Sequence, residues 1–232
     1  MKKINSLLWD LKNVVFPDFC PACSEQILPK GRLLCTNCLF ELPFTDHFEI
    51  RENRVATHFW GRFPIKDAAG LLYFKRSGIV QNLLHDLKYK QNKNVGVTLG
   101  KITGEKILSS PFFRDIDLVI PVPLHPAKEF LRGYNQSYIF SMGISSVIRV
   151  PVYKDILEKN KKNESQTGKN RSERLQNVDD VYVLKKIESL KGKNILLVDD
   201  VITTGSTLEA CMSALKCGQP ESISIVTLAC AL

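Results

Sequence analysis

The sequence predicts an α/β protein: a largely parallel sheet covered by helices on both faces, with a small four-cysteine module ahead of it. Three observations carry that expectation. Strand-like and helix-like segments alternate from about residue 63 onward, the pattern of strands joined by crossover helices. The stretch NILLVDDV (194–201) runs through Ile195, Leu196, Leu197 and Val198 without polar alternation, as a strand buried on both faces requires. Cys20, Cys23, Cys35 and Cys38 are spaced C-x2-C-x11-C-x2-C. A chain of 232 residues holds one domain of ordinary size and an appendage. The division is expected between residues 1–60 and 61–232.

The N-terminal MKKINSLLWDLKNVVF starts like a signal peptide, but Asp10 and Lys12 interrupt its apolar patch and no small-residue cleavage site follows. Ile4, Leu7, Leu8, Leu11, Val14 and Val15 recur instead at three- and four-residue intervals, which predicts a short amphipathic helix. The two cysteine pairs that follow have the spacing of a tetrahedral metal site. Each pair forms a tight turn, for which Pro21 and Gly31 are suited, and four thiolates suit Zn²⁺. Two disulfides or a redox dithiol would use the same residues, but neither explains two matching pairs, and a reducing compartment disfavours the first. With four sulfur ligands the zinc has no open position, so its expected role is structural. Cys211, Cys217 and Cys230 lack such spacing and read as small core residues.

FPIKDAAGLLYFKR (63–76) is β-favouring and reads as a strand or hairpin joining the two bodies. Ile79, Val80, Leu83, Leu84 and Leu87 make one face of a helix, and Val95, Leu99, Ile102 and Ile107 make one face of a second. DLVIPVP (117–123) is a short apolar run ended by prolines, a buried strand passing into a loop. A helix is expected in 133–148 and a strand in 150–159. The polar, basic stretch 160–177 is the longest expected loop. Strands at 181–184, 194–201 and 222–231, with a helix over 206–216, complete the pattern.

The chemistry gathers at ILLVDDVITTGST (195–207). A central strand ends in Asp199 and Asp200, and ligands of open parallel sheets bind beyond such strand ends. Thr203, Thr204, Gly205, Ser206 and Thr207 then open a helix. Its unpaired N–H groups and dipole attract an anion, the hydroxyls add donors, and the glycine admits close approach. Ordinary helix capping would use the same small residues; two acids directly before them are harder to explain that way.

This stretch resembles the phosphoribosyl-diphosphate (PRPP) motif of type I phosphoribosyltransferases at every position of the pattern. The resemblance implies a type I phosphoribosyltransferase-like sheet, ribose hydroxyls on Asp199 and Asp200, the 5′-phosphate on residues 203–207, and Mg²⁺ on the diphosphate. DLVIPVPLHPAKEFLRGYNQS (117–137) is similar to the diphosphate-loop region of the ComF group, with Arg132 as a phosphate fork, Gly133 as a tight turn and Asn135 with Gln136 as amide donors. Lys161, Lys162, Gln166, Lys169 and Arg174, with Asn177 beyond them, resemble that family's mobile loop. A zinc-ribbon-like cysteine module before such a domain resembles the ComF (competence protein F) family, implicated in DNA uptake.

Thirty-two Lys and Arg against 24 Asp and Glu give a net charge of +8, which favours polyanionic partners or simply serves solubility. Lys75, Arg76, Lys88, Lys90 and Lys93 lie among Tyr73, Phe74 and Tyr89, the mixture that binds single-stranded DNA by charge and stacking; a solvated helix face has the same composition. Three functions are compatible: a DNA-uptake protein with a PRPP-type pocket, an active transferase passing phosphoribosyl to a nitrogen acceptor, or a non-catalytic PRPP or nucleotide sensor. No residue stands out as a general base. The absence of G-x4-G-K-[ST] excludes a P-loop motor, and no apolar run is long enough to span a membrane. The expected location is the cytoplasm, with PRPP or a related sugar phosphate, and DNA or DNA-uptake proteins, as partners.

Overall fold

The computed structural model describes residues 17–29, 31–159, 182–185 and 190–231. The expected N-terminal helix over residues 4–15 and the loop residues Lys161, Lys162, Gln166, Lys169 and Arg174 lie outside them.

The sheet has four described strands, β1 (Ala68–Tyr73), β2 (Leu118–Pro121), β5 (Asn194–Ile202) and β6 (Ser222–Cys230), in the order β1-β6-β5-β2. All pairings are parallel, with Ala68 opposite Ile225, Asn194 opposite Ser222 and Leu118 opposite Ile195. Beyond β2 the chain bridges once more, Val152 to Val119. Two short strands, β3 (Leu157–Lys159) and β4 (Tyr182–Leu184), form a separate antiparallel pair.

Strand β5 is central, and its side chains divide by alternation. Leu196 and Val198 enter one hydrophobic cluster, while Ile195 and Leu197 enter the other on the opposite face. An apolar run without alternation is therefore two interleaved apolar faces, each buried under its own layer. The first layer holds α3 (Ile79–Tyr89), α4 (Lys93–Ser109) and α6 (Gln136–Ile148); the second holds α2 (Arg54–His58) and α7 (Ser206–Lys216). Two further helices are short: α1 (Thr36–Phe40), which buries Cys38 in the first cluster, and α5 (Pro126–Arg132), which buries no residue.

Helices α4 and α6 approach each other at backbone distance. A Cβ on Gly100 would run into the Phe140 carbonyl and the Gly143 Cα, and one on Gly104 would stand 2.7 Å from Val147 Cβ. Small residues at four-residue spacing thus lower the interaxial distance and fix where α6 begins. That start matters, because α6 opens at the site.

The stretch expected to join two bodies holds β1, which is an edge strand of the main sheet. Residues 43–45 cover that edge: Tyr73 N–H donates to Pro43 O and Thr45 N–H to Leu71 O, at 2.9 and 3.0 Å. This protects ladder groups that would otherwise pair with another chain. The cysteine module packs against the same layer: Cys20, Ala22 and Cys38 share a cluster with Leu71 and Leu83. Asn82 Nδ2 also donates to Ala22 O at 2.7 Å. Of the three remaining cysteines, Cys211 and Cys230 are buried as expected, but Cys217 is exposed. It follows the last turn of α7 as its C-cap, where the chain leaves the core.

Candidate phosphoribosyl site and metal centre

The four sulfurs of Cys20, Cys23, Cys35 and Cys38 lie within 4.8 Å of one another. Backbone N–H groups already turn towards them, Cys35 N–H to Cys20 Sγ and Cys38 N–H to Cys35 Sγ, each at 3.5 Å. The backbone N–H groups of Glu25 and Gln26 hold the Cys23 thiol down at about 7, whereas burial pushes the Cys38 thiol up. Four converging soft donors with N–H support fit a tetrahedral metal ion, and Zn²⁺ suits them because it ionises every thiol it binds.

The second site lies at the C-terminal edge of the sheet. Buried β5 delivers Asp199 there with 8% of its surface exposed. Its Oδ1 accepts from Ser137 Oγ at 2.9 Å and from Asp200 N–H at 2.8 Å. Burial and then the neighbouring Asp200 charge push the Asp199 carboxyl up to about 7, against the opposing pull of those donors and Lys88. Asp200 turns the other way, its Oδ2 2.8 Å from Lys88 Nζ on α3.

Past Asp200 the loop reaches Gly205, at φ +70, from which α7 starts with no side-chain cap. Thr203, Thr204, Ser206 and Thr207 are exposed, and Thr204 Oγ1 lies 3.0 Å from Ser206 Oγ. An eleven-residue helix beginning uncapped beside small hydroxyls leaves its first N–H groups open to an anion.

Arg132, Asn135, Asp199, Asp200 and Thr207 line one cavity of about 200 Å³. The structure therefore brings the 117–137 and 195–207 segments together, as expected. It uses their polar groups differently. Asn135 caps α6, accepting from Ser137 and Tyr138 N–H, while its Nδ2 donates to Val122 O at 2.9 Å. Gln136 accepts from Arg132 Nη1 at 3.0 Å and donates to Tyr134 O. Both amides are thus committed within the protein, and Arg132, held over the Tyr89 ring at 5.4 Å, is the cation that this segment places on the cavity wall. Gly133 supplies the left-handed turn, at φ +79, that ends α5.

Three wall residues were given no individual role by the sequence: Ser137, the last residue of the 117–137 stretch, whose hydroxyl orients Asp199, and Lys159, at the edge of the basic stretch, and Tyr182, which face the cavity from paired positions of β3 and β4. Lys88 was grouped by sequence with the basic surface, and the structure turns it into the site. The others of that group are placed differently: Lys90 pairs with Asp86 at 2.9 Å, Lys93 lies over the Tyr134 ring at 5.1 Å, and Lys75 and Arg76 are exposed. Beside the first cavity lies a second, of about 640 Å³, which shares Lys88, Asp200 and Val201 and is otherwise walled by Phe74, Leu84, His85 and Tyr89 among others.

Comparison with known proteins bears directly on this constellation: the family model described as "Phosphoribosyl transferase domain" matches residues 135–231. This part of the chain is similar to a phosphoribosyl transferase domain. Over 49% of its length the chain is 34% identical to competence protein F of Haemophilus influenzae, covering 50% of that protein. It is 33% identical over 48% of its length to competence protein ComFC of Bacillus subtilis, covering 43%. It is 24% identical over 54% to the DNA utilization protein YhgH of Escherichia coli O157:H7, covering 56%. The chain thus spans about half the length of the curated relatives it matches, and competence proteins F and ComFC are its homologues over that half.

Proposed function

We propose that this phosphoribosyl transferase-domain protein serves DNA uptake, binding PRPP or a related sugar phosphate with Mg²⁺ in the cavity beyond β5. The observation that carries the pocket is the juxtaposition of Asp199 and Asp200 with an uncapped helix start at Gly205, closed by Arg132. Carboxylates there accept hydrogen bonds from sugar hydroxyls and help hold Mg²⁺. Residues 203–207 take the 5′-phosphate, and Arg132 takes the diphosphate. In this reading Lys161, Lys162, Lys169 and Arg174 add positive charge from the loop that follows Lys159. The DNA-uptake role is supported by the names of the competence and DNA-utilization homologues. The net charge of +8 supports contact with single-stranded DNA.

Turnover is a second reading, favoured by the adjoining cavity. A nitrogen nucleophile seated among Phe74, His85 and Tyr89 would lie next to Asp200 and Thr203. Attack on C1′ would then expel diphosphate, with catalysis resting on positioning and on cationic stabilisation of the leaving group.

Calorimetric titration with PRPP and Mg²⁺ tests the pocket. Binding is expected, weakened at least about tenfold by Asp199→Asn combined with Asp200→Asn, the loss of roughly one charge-assisted hydrogen bond or more. Equal affinity of the double variant would remove the site assignment. Diphosphate released on adding mixed nucleobases would establish turnover, and binding without release would count against it.

A further inference from the structure

We infer that His58 is a positioning residue for the phosphate-binding loop, the tip of a strut that runs from β1 to that loop; the inference rests on the pocket reading above. His58 Nε2 donates to the Thr204 carbonyl at 2.9 Å, across 146 positions of sequence. A Cβ on Gly205 would stand 2.6 Å from His58 Nε2 and 2.8 Å from its Cδ2. The imidazole therefore lies directly on the loop backbone, and only glycine leaves room for it.

The strut has a firm base. His58 ends α2, whose start is capped by Asn53: its Oδ1 accepts from Val55 and Ala56 N–H at 3.0 and 3.1 Å. Asn53 Nδ2 donates to Ala68 O of β1 at 2.7 Å, and Asn53 is only 6% exposed. Phe59, fully buried, locks the far end and reaches to 3.3 Å of the Gly205 Cβ position. Arg62 Nη1 lies 2.8 Å from Glu209 Oε1 on α7, a close charge pair without hydrogen-bond alignment.

The consequence follows from peptide geometry. In a trans peptide the carbonyl and the next N–H point in opposite directions. Fixing the Thr204 carbonyl on His58 thus aims the Gly205 N–H away from the strut, and it keeps a carbonyl dipole from turning towards a bound anion. His58 does not touch the anion in this arrangement; it sets which backbone groups do.

The test uses full-length protein with His58→Phe, which keeps a ring but no donor, and His58→Gln, which restores an N–H at similar reach. Ribose 5-phosphate affinity should fall about tenfold in the Phe variant, roughly the worth of one hydrogen bond, and recover in the Gln variant. Amide exchange at 203–207 without ligand should quicken only in the Phe variant. Wild-type exchange and affinity in the Phe variant, or a Gln variant no better than Phe, would overturn the inference. If the wild type binds no ribose 5-phosphate, the pocket reading fails and the exchange data alone decide the strut. Should the His58 variants not fold, Arg62→Ala loosens the same strut from an exposed position and is judged by the same exchange readout.

Discussion

Asp199 carries an electrostatic cost that its neighbours only partly offset. Burial, and after it the charge of Asp200, raises its carboxyl from 3.8 to about 7 despite the Asp200 N–H, the Ser137 hydroxyl and Lys88. The folded protein therefore holds this proton more tightly than the unfolded chain. As pH rises through that window the unfolded state ionises first, so stability is lost between about pH 4 and pH 7 and stays low above it. Asp199→Asn cannot ionise and keeps the shape. It should be more stable than wild type near pH 8, by at most about 4 kcal/mol at ~1.4 kcal/mol per unit, with the advantage vanishing near pH 4. Urea denaturation at both pH values reads this directly, and an equal difference at the two would refute the assignment. A site residue whose removal stabilises the fold is the mark of strain kept for binding. Lys88 teaches a different lesson at this scale. Sequence proximity groups it with Lys90, yet positions two apart on a helix lie about 200° around its axis. One therefore meets Asp200 and the other Asp86 on its own helix.

Among the elements, the cysteine knuckles and the α4–α6 pair differ in how plainly the sequence declares them. The knuckles are legible because metal coordination needs fixed residue types at fixed spacing. They are also part of the main core, since Cys20 is fully buried in the cluster that contains Leu83. Cys20→Ser should therefore do more than lose metal. Elemental analysis should find about one zinc per wild-type chain and a substoichiometric amount in the variant, and thermal unfolding should shift down by several degrees or more, as losing a structural zinc ligand destabilises. Wild-type protein that purifies metal-free and unfolds cooperatively would contradict this. The α4–α6 contact was harder to read. Helical periodicity marks both helices, but which faces meet depends on Gly100 and Gly143 touching across two separate segments. Single glycines in a helix read only as weak propensity.

For the whole molecule, parallel winding places the C-terminal ends of all four strands of the main sheet on one edge. Residues from β5, α3, α6 and the segment just after β2, far apart in sequence, therefore line adjoining cavities. Among the described residues no helix is long and apolar enough to cross a membrane. The net charge of +8 is the other molecular-scale property, and its use on DNA depends on cations left available at the surface. With Lys88 turned inward, Lys75, Arg76, Lys90 and Lys93 are the exposed members; Lys93 lies over the Tyr134 ring, which leaves Lys75, Arg76 and Lys90 to test. Binding of a single-stranded oligonucleotide should weaken with salt. Changing these three to Ala should flatten the slope of log affinity against log salt by up to about 2, at roughly 0.7 for each phosphate no longer neutralised. An unchanged slope would exclude this surface.

The sequence by itself determined the α/β class, the cysteine centre and the 195–207 motif, because each rests on local spacing: period-two and period-3.6 burial, metal-ligand intervals, and an acid pair before a helix start. Only the tertiary structure decided that Ser137 orients Asp199, that Lys88 joins the site, and that His58 braces Thr204. Those relations depend on which side chains meet after the sheet winds and the helices pack. No periodicity within one segment encodes a contact between two.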